Sequence, residues 1–81
     1  MARILYFAKL VDLIGRDAEE TDLPPSVSDV GTLLAWLRER GPRWNDALAE
    51  HAVKVTVNKS FTDPSSPVTN GDEIAIVSAH T

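Results

Sequence analysis

Apolar and polar positions change period several times along the chain, and each change marks an element. Arg3 to Leu10 (Arg-Ile-Leu-Tyr-Phe-Ala-Lys-Leu) is rich in β-branched and aromatic residues and predicts a strand paired on both sides. The apolar run Val11 to Ile14 ahead of Gly15 fits one helical turn closed by glycine, and Ala18 to Leu23 predicts a more exposed return strand ended by Pro24-Pro25. Ser26-Val27-Ser28-Asp29 fits a capping box, with the Ser26 hydroxyl accepting from the Asp29 N–H and the Asp29 carboxylate reaching back. Val30, Leu33, Leu34 and Leu37 then recur at three- and four-residue steps until Gly41-Pro42, so the spacing predicts a helix over Val27 to Arg40 with one buried face.

Arg43 to Glu50 fits a short second helix that gathers Trp44, Ala47 and Leu48 on one face. Val53-Lys54-Val55-Thr56-Val57 alternates with period two, which predicts a strand with one face on the core and one on solvent. Asn58-Lys59-Ser60 turns the chain into a brief strand at Phe61 and Thr62, and Asp63 to Pro67 is an irregular loop. Asn70-Gly71 supplies a turn whose glycine can take positive φ, and Ile74 to Val77 predicts a buried last strand. Such a strand aims Ser78, Ala79, His80 and Thr81 outward as an extended arm, a shape suited to insertion into another protein's active site. One sheet packed on one main helix is the simplest arrangement, an α+β domain spanning residues 1–81 without repeat, low-complexity run or long linker.

Composition narrows the function more than it narrows the fold. With 81 residues the chain has room for one modest core, burying about two-thirds of its unfolded surface. Eight basic against twelve acidic residues give a net charge of -4, which repels phosphate backbones and anionic lipid, so neither nucleic acid nor membrane is an expected partner. Cysteine is absent, which removes disulfides, thiolate ligands and a thiol nucleophile. Arg3, Lys9 and Asp12 interrupt the apolar N-terminal stretch too often for a signal sequence or a membrane span, and the expected location is the cytoplasm.

Within the domain no constellation for catalysis emerges. His51 and His80 lie far apart with no ligand spacing, so no metal site is expected. Glu19-Glu20 and Asp72-Glu73 are adjacent pairs, which on strands point to opposite faces and do not form an acid/base dyad. Gly15, Gly31, Gly41 and Gly71 are dispersed and match neither a dinucleotide fingerprint nor a phosphate loop. Trp36 and Trp44 flank the end of the helix, where packing outweighs a binding platform. By strand parity, Ile4 and Tyr6 facing the helix put Leu5 and Phe7 outward, and Ile74 and Ile76 facing inward put Ala75 and Val77 outward. Phe7, Phe61 and Val77 then form an exposed apolar patch, although parity alone leaves inverted faces or scattered surface apolars equally open.

The segments Ile4-Leu5-Tyr6-Phe7-Ala8-Lys9-Leu10, Leu13-Ile14-Gly15, Val57-Asn58-Lys59-Ser60 and Pro67-Val68-Thr69-Asn70-Gly71-Asp72-Glu73-Ile74-Ala75 occur in an order and spacing that cover nearly the whole chain. Together they resemble the MoaD family, the sulfur-carrier small subunits of molybdopterin synthase. The resemblance implies a ubiquitin-like β-grasp fold, with a mixed sheet of four to five strands on one main helix. It also implies a mechanism without an intrinsic cofactor. In the family an E1-like adenylating enzyme (MoeB-like) uses ATP to activate the carboxylate of a C-terminal Gly-Gly, which then receives sulfur as a thiocarboxylate. The large synthase subunit (MoaE-like), joined to the carrier in a heterotetramer, holds the active site and places dithiolene sulfurs on cyclic pyranopterin monophosphate. Phe7, Phe61 and Val77 match the positions through which the family's carrier docks these two partners, one at a time.

The sequence departs from the family at its end. It stops at Ser78-Ala79-His80-Thr81, and the family's diglycine would fall immediately after Thr81. The expectation is that a flexible Gly-Gly tip is missing from this chain, a paralogue that has lost the carrier function being the other explanation; a chain ending in Thr81 would not be a competent sulfur carrier. Two alternatives stay open: a ubiquitin-like interaction module without carrier chemistry, and the shorter thiamine-pathway carrier, which the long helix-to-last-strand segment disfavours. A stand-alone enzyme has the least support.

Overall fold

The computed structural model describes residues 1–49 and 52–79. The elements are β1 (Ala2–Phe7), α1 (Lys9–Ile14), β2 (Ala18–Thr21), α2 (Val30–Arg38), α3 (Pro42–Ala47), β3 (Val53–Val57), β4 (Ser60–Phe61) and β5 (Glu73–Ser78). The strands form one mixed sheet in the order β2-β1-β5-β3-β4, in which β1 and β5 run parallel and the other neighbours antiparallel. Two antiparallel hairpins joined through a parallel central pair, with α2 in the crossover, make the α+β, ubiquitin-like β-grasp arrangement. Ile4 and Tyr6 of β1, Ile74 and Ile76 of β5, and Val30, Leu33, Leu34 and Leu37 of α2 share one buried core. Of the two parities that alternation left open for β1 and β5, the observed one turns Ile4, Tyr6, Ile74 and Ile76 inward.

Several boundaries differ from the periodicity, each for a local reason. β1 stops at Phe7 rather than Leu10, because Ala8 takes φ 58° and ψ -134° and turns the chain into α1. Leu10 is buried from that helix, which closes at Gly15 with φ 88° as a glycine C-cap should. β2 ends at Thr21, not Leu23, because Thr21 already lies opposite Ala2, the first residue of β1. Leu23 instead gives its N–H to the Asn70 side chain at 2.9 Å.

The start of α2 is the largest correction. The capping box is built by Asp29 and Thr32, not by Ser26 and Asp29. Residues Ser28 and Asp29 are held extended against the loop before β5, where the Val68 N–H donates to the Ser28 carbonyl and Asp29 bridges Pro67. No helix can begin inside that pairing. The same loop satisfies the first donors of α2, with Val30 N–H on the Ser66 carbonyl at 3.0 Å and Gly31 N–H on the Pro64 carbonyl at 2.9 Å. Thr32 N–H meets the Asp29 carboxylate at 2.8 Å. At its other end α2 stops at Arg38 rather than Arg40, and α3 covers Pro42–Ala47 where a helix to Glu50 was expected; Glu50 itself lies outside the described residues.

The β3–β4 hairpin closes one residue earlier than expected. Asn58 (φ 51°) and Lys59 (φ 70°) form a two-residue turn, so Ser60 already pairs with Val57 and the strand is Ser60–Phe61. Thr62 has left the strand and donates its hydroxyl to the Val55 carbonyl at 2.7 Å. β5 extends one residue further at each end than Ile74 to Val77, and Gly71 in the turn before it takes φ 98°.

Candidate functional site

The sheet face turned away from α2 is organised in rows that cross the strands. In the middle row Leu5 lies opposite Ala18 and Ala75, Ala75 opposite Thr56, and Thr56 opposite Phe61. In the row nearer the end of β5, Phe7 lies opposite Val77 and Val77 opposite Lys54. At the other end Arg3 sits between Glu20 and Glu73. Opposite residues share a face, so Phe7, Val77 and Phe61, three residues far apart in sequence, stand on one surface. Phe7 is 47% exposed and Phe61 89% exposed, a large apolar area for so small a protein.

β5 carries the chain out along this face. It is the middle strand, held by β1 on one side and β3 on the other. Ser78 is its last residue, and the Ser78 hydroxyl accepts from the Lys9 N–H at 3.3 Å. Ala79 N–H still donates to the Ala52 carbonyl at 2.8 Å. Ser78 and Ala79, two of the four residues expected to form the extended arm, are thus hydrogen-bonded to neighbouring segments. His80 and Thr81 lie outside the described residues, as does His51.

On the helix side of the sheet a polar cluster meets the core. Glu19 lies opposite Ile4 on the inner face of β2, while Glu20 faces outward, as adjacent strand residues must. The Glu19 carboxylate accepts from the Tyr6 hydroxyl at 2.5 Å, from Arg40 at 2.7 Å and from Arg16 at 3.3 Å. The Arg40 guanidinium lies 4.7 Å from the ring centre of Trp44 and 5.3 Å from that of Trp36, and Trp44 meets the Tyr6 ring edge-on at 5.8 Å. Burial first, then the hydrogen bond to Glu19 and its charge, push the Tyr6 phenol above its ordinary range. Burial opposes ionisation of Glu19, but the donors Arg40 and Tyr6 and the charges of Arg40 and Arg16 together hold its carboxyl below the ordinary value. Both tryptophans are half-buried and pack against the core, so the cluster ties β2 to the end of α2.

Asp72 accepts from Thr69 N–H and from the Asn58 side chain, and Asn58 in turn accepts from Glu73 N–H. These bonds brace the turns at the charged end of the sheet. Among the described residues no three His, Asp or Glu side chains gather in a way that could hold a metal ion, and no helix is long and apolar enough to cross a membrane.

Two features escaped the sequence reading. Lys54 stands on the same face as the apolar three, which parity permits, but its place beside Val77 depends on strand register. The partnership of Tyr6 with Glu19 joins residues that are not opposite each other in the ladder, and no periodicity signals it.

A central outgoing strand, a parallel β1–β5 pair and an apolar outer face define a β-grasp protein of the ubiquitin-like kind. The ThiS family model matches residues 4–81, and the chain belongs to that family. The chain is 31% identical over 75 residues to the molybdopterin synthase sulfur carrier subunit of Escherichia coli K12, covering 93% of this chain and 90% of that protein. It is 33% identical, over the same shares, to the subunit of that name from Haemophilus influenzae. Among solved structures, a Pyrococcus furiosus protein described as molybdopterin converting factor subunit 1 superposes with a TM-score of 0.75 at 22% identity, covering 95% of this chain and 94% of that one. SAMP1 from Haloferax volcanii gives 0.75 at 20% identity, covering 99% and 96%. These two likenesses establish the fold.

Proposed function

We propose that this protein is the sulfur carrier subunit of a molybdopterin synthase. The carrying observation is that β5, the central strand, leads the chain terminus out beside an apolar face on which Phe7, Val77 and Phe61 stand together. A carrier needs this pairing, because a partner that grips the face is then positioned to take the terminus into its own active site. The identity with sulfur carrier subunits across 93% of the chain supports the same reading.

In this proposal the protein works in the cytoplasm and has no cofactor of its own. An E1-like adenylating enzyme joins the AMP part of ATP to the C-terminal carboxylate with release of pyrophosphate, which turns one oxygen into part of a leaving group. Sulfur delivered at the sulfide level then attacks the acyl carbon, the C–S bond forms as the C–O bond to AMP breaks, and the terminus becomes a thiocarboxylate whose sulfur is nucleophilic. The large synthase subunit, in a heterotetramer with the carrier, uses that sulfur to build the dithiolene of molybdopterin. The carrier contributes binding and positioning rather than catalytic side chains. A Gly-Gly tip suits the reaction, because residues without side chains thread a narrow channel.

Intact mass of the protein expressed from its native gene tests this, before and after incubation with the activating enzyme, ATP and a sulfur source. The expected result is a starting mass two glycines above the chain ending at Thr81, then a gain of about 16 Da as sulfur replaces oxygen. A mass that ends at Thr81 and never shifts would refute the carrier chemistry and leave a β-grasp binding module.

A further inference from the structure

We propose that Lys54 makes the docking face selective for an acidic partner surface, one that presents a carboxylate to the Lys54 ammonium as it covers Phe7, Val77 and Phe61. The inference rests on the reading of this face as the place where the large synthase subunit docks, and it specifies what that subunit must carry there.

Lys54 is exposed and lies opposite Val77, in the row that begins with Phe7. Two residues along β3, Thr56 lies opposite Phe61. A surface that closes over the three apolar side chains therefore closes over Lys54 as well. The ion pairs among the described residues join the N-terminus to Asp22, and Arg16 and Arg40 to Glu19, and none involves Lys54. The acids of this sheet face, Glu20 and Glu73, stand at its other end on either side of Arg3. Asp63, beyond β4, is engaged by the N–H and hydroxyl of Ser65.

Exposed and in no ion pair among the described residues, the Lys54 ammonium is open to water in the free protein. Docking strips that water, and a desolvated charge left without a counter-charge opposes association strongly. Apolar contact alone would then select poorly, since many proteins offer an apolar socket. A lysine at the centre of the contact rejects every socket that lacks a carboxylate at the matching point, which is specificity by exclusion. Lys9, exposed at the start of α1, has its backbone N–H on the Ser78 hydroxyl and so lies close in the chain fold to the end of β5. In a chain of net charge -4, Lys54 is a cation set within the apolar face, so it favours an acidic surface placed over that row in one orientation.

The test compares Lys54→Met, which keeps the stem and removes the charge, with Lys54→Glu. Each full-length protein is titrated against the purified large synthase subunit encoded in the same genome, at low and at high salt. Lys54→Met is expected to weaken binding at least about tenfold, because the facing carboxylate loses its partner. Lys54→Glu is expected to weaken it further, with a deficit that shrinks as salt rises. Unchanged or tighter binding by Lys54→Met overturns the inference, since it means that the partner is neutral or apolar at that point. Phe61→Ala separates the two levels. If Phe61→Ala weakens binding and Lys54→Met does not, only the role of Lys54 falls; if Phe61→Ala binds like the unchanged protein, the docking face falls and Lys54 with it.

Discussion

The Tyr6 hydroxyl donates to Glu19 Oε1 at 2.5 Å, although Tyr6 is buried under the helices and Glu19 belongs to the edge strand of the sheet. The bond makes β2, a strand of only four residues, part of the core structure. It also connects the core to Arg40, beyond the end of α2, through the carboxylate the two donors share.

Glu19→Gln should therefore lower folding stability by roughly 1–3 kcal/mol, the range for hydrogen bonds to a charged group. The pH dependence has a definite sign. The folded carboxyl of Glu19 is held below its ordinary value of 4.5, so its contribution is complete above that value and is lost as pH falls through the lower folded one. Urea unfolding measured across the acid range should show a shallower decline for Glu19→Gln than for the unchanged protein. On the alkaline side Tyr6, the single tyrosine, should stay protonated in the folded protein above its ordinary value of 10.0. Stability then falls as the unfolded chain ionises, and tyrosinate absorbance follows that change.

The start of α2 gives a second test. Asp29→Ala removes the acceptor for Thr32 N–H and half of the capping box, so it should lower the urea midpoint. Ser26→Ala should leave the midpoint unchanged, because Ser26 lies outside the helix and makes no cap. The opposite ranking of the two variants would place the helix start where periodicity alone puts it.

That contrast shows what kind of information the sequence carries. The alternation that groups Ile4 with Tyr6 and Ile74 with Ile76 was legible because side chains repeat every second residue, while the choice of inward face was not. The buried stripe of α2 was legible for the same kind of reason. Its N-terminus was not, because Asp29 closes the box read from Ser26 but in the fold opens one with Thr32, and that choice is made by a loop more than thirty positions away, through Val68 and Ser66. The candidate site divides in the same way. Phe7 and Val77 could be assigned to one face from alternation, but bringing Phe61 onto it requires the Asn58-Lys59 turn to close at two residues, which sets the pairing of Thr56 with Phe61. Register, unlike period, is a property of two segments at once.

The same turn supports a third prediction. Lys59 has φ 70°, a conformation that costs an L-residue energy and costs glycine little. Lys59→Gly should stabilise the protein by roughly 0.5–1 kcal/mol, less whatever the more flexible unfolded chain takes back. Asn58→Gly should do the reverse. Its φ of 51° also suits glycine, but its side chain accepts from Glu73 N–H and donates to Asp72, both at 3.0 Å. Thermal melts of the two single variants, shifting in opposite directions, would separate backbone strain from side-chain bracing.

Phe7 and Phe61 allow the docking face to be tested apart from the fold. Phe61 is 89% exposed and contacts solvent more than core, so Phe61→Ala should change stability by no more than about 0.5 kcal/mol. Phe7, 47% exposed, should cost somewhat more. If both rings anchor a partner, each truncation should weaken association by more than about 1 kcal/mol, because aromatic groups at the centre of an interface carry a large share of its energy. In the proposed carrier role the loss should appear with the large synthase subunit and with the adenylating enzyme alike, since each would approach along the end of β5, where Phe7 and Val77 stand opposite each other. Titration of each variant against the two purified partners, with a thermal melt as the control for folding, distinguishes the cases. Weaker binding to both partners at unchanged melting temperature supports a shared face used in turn. Weaker binding to only one of them would divide the face into two sites, and unchanged binding to both would remove Phe7 and Phe61 from the interface.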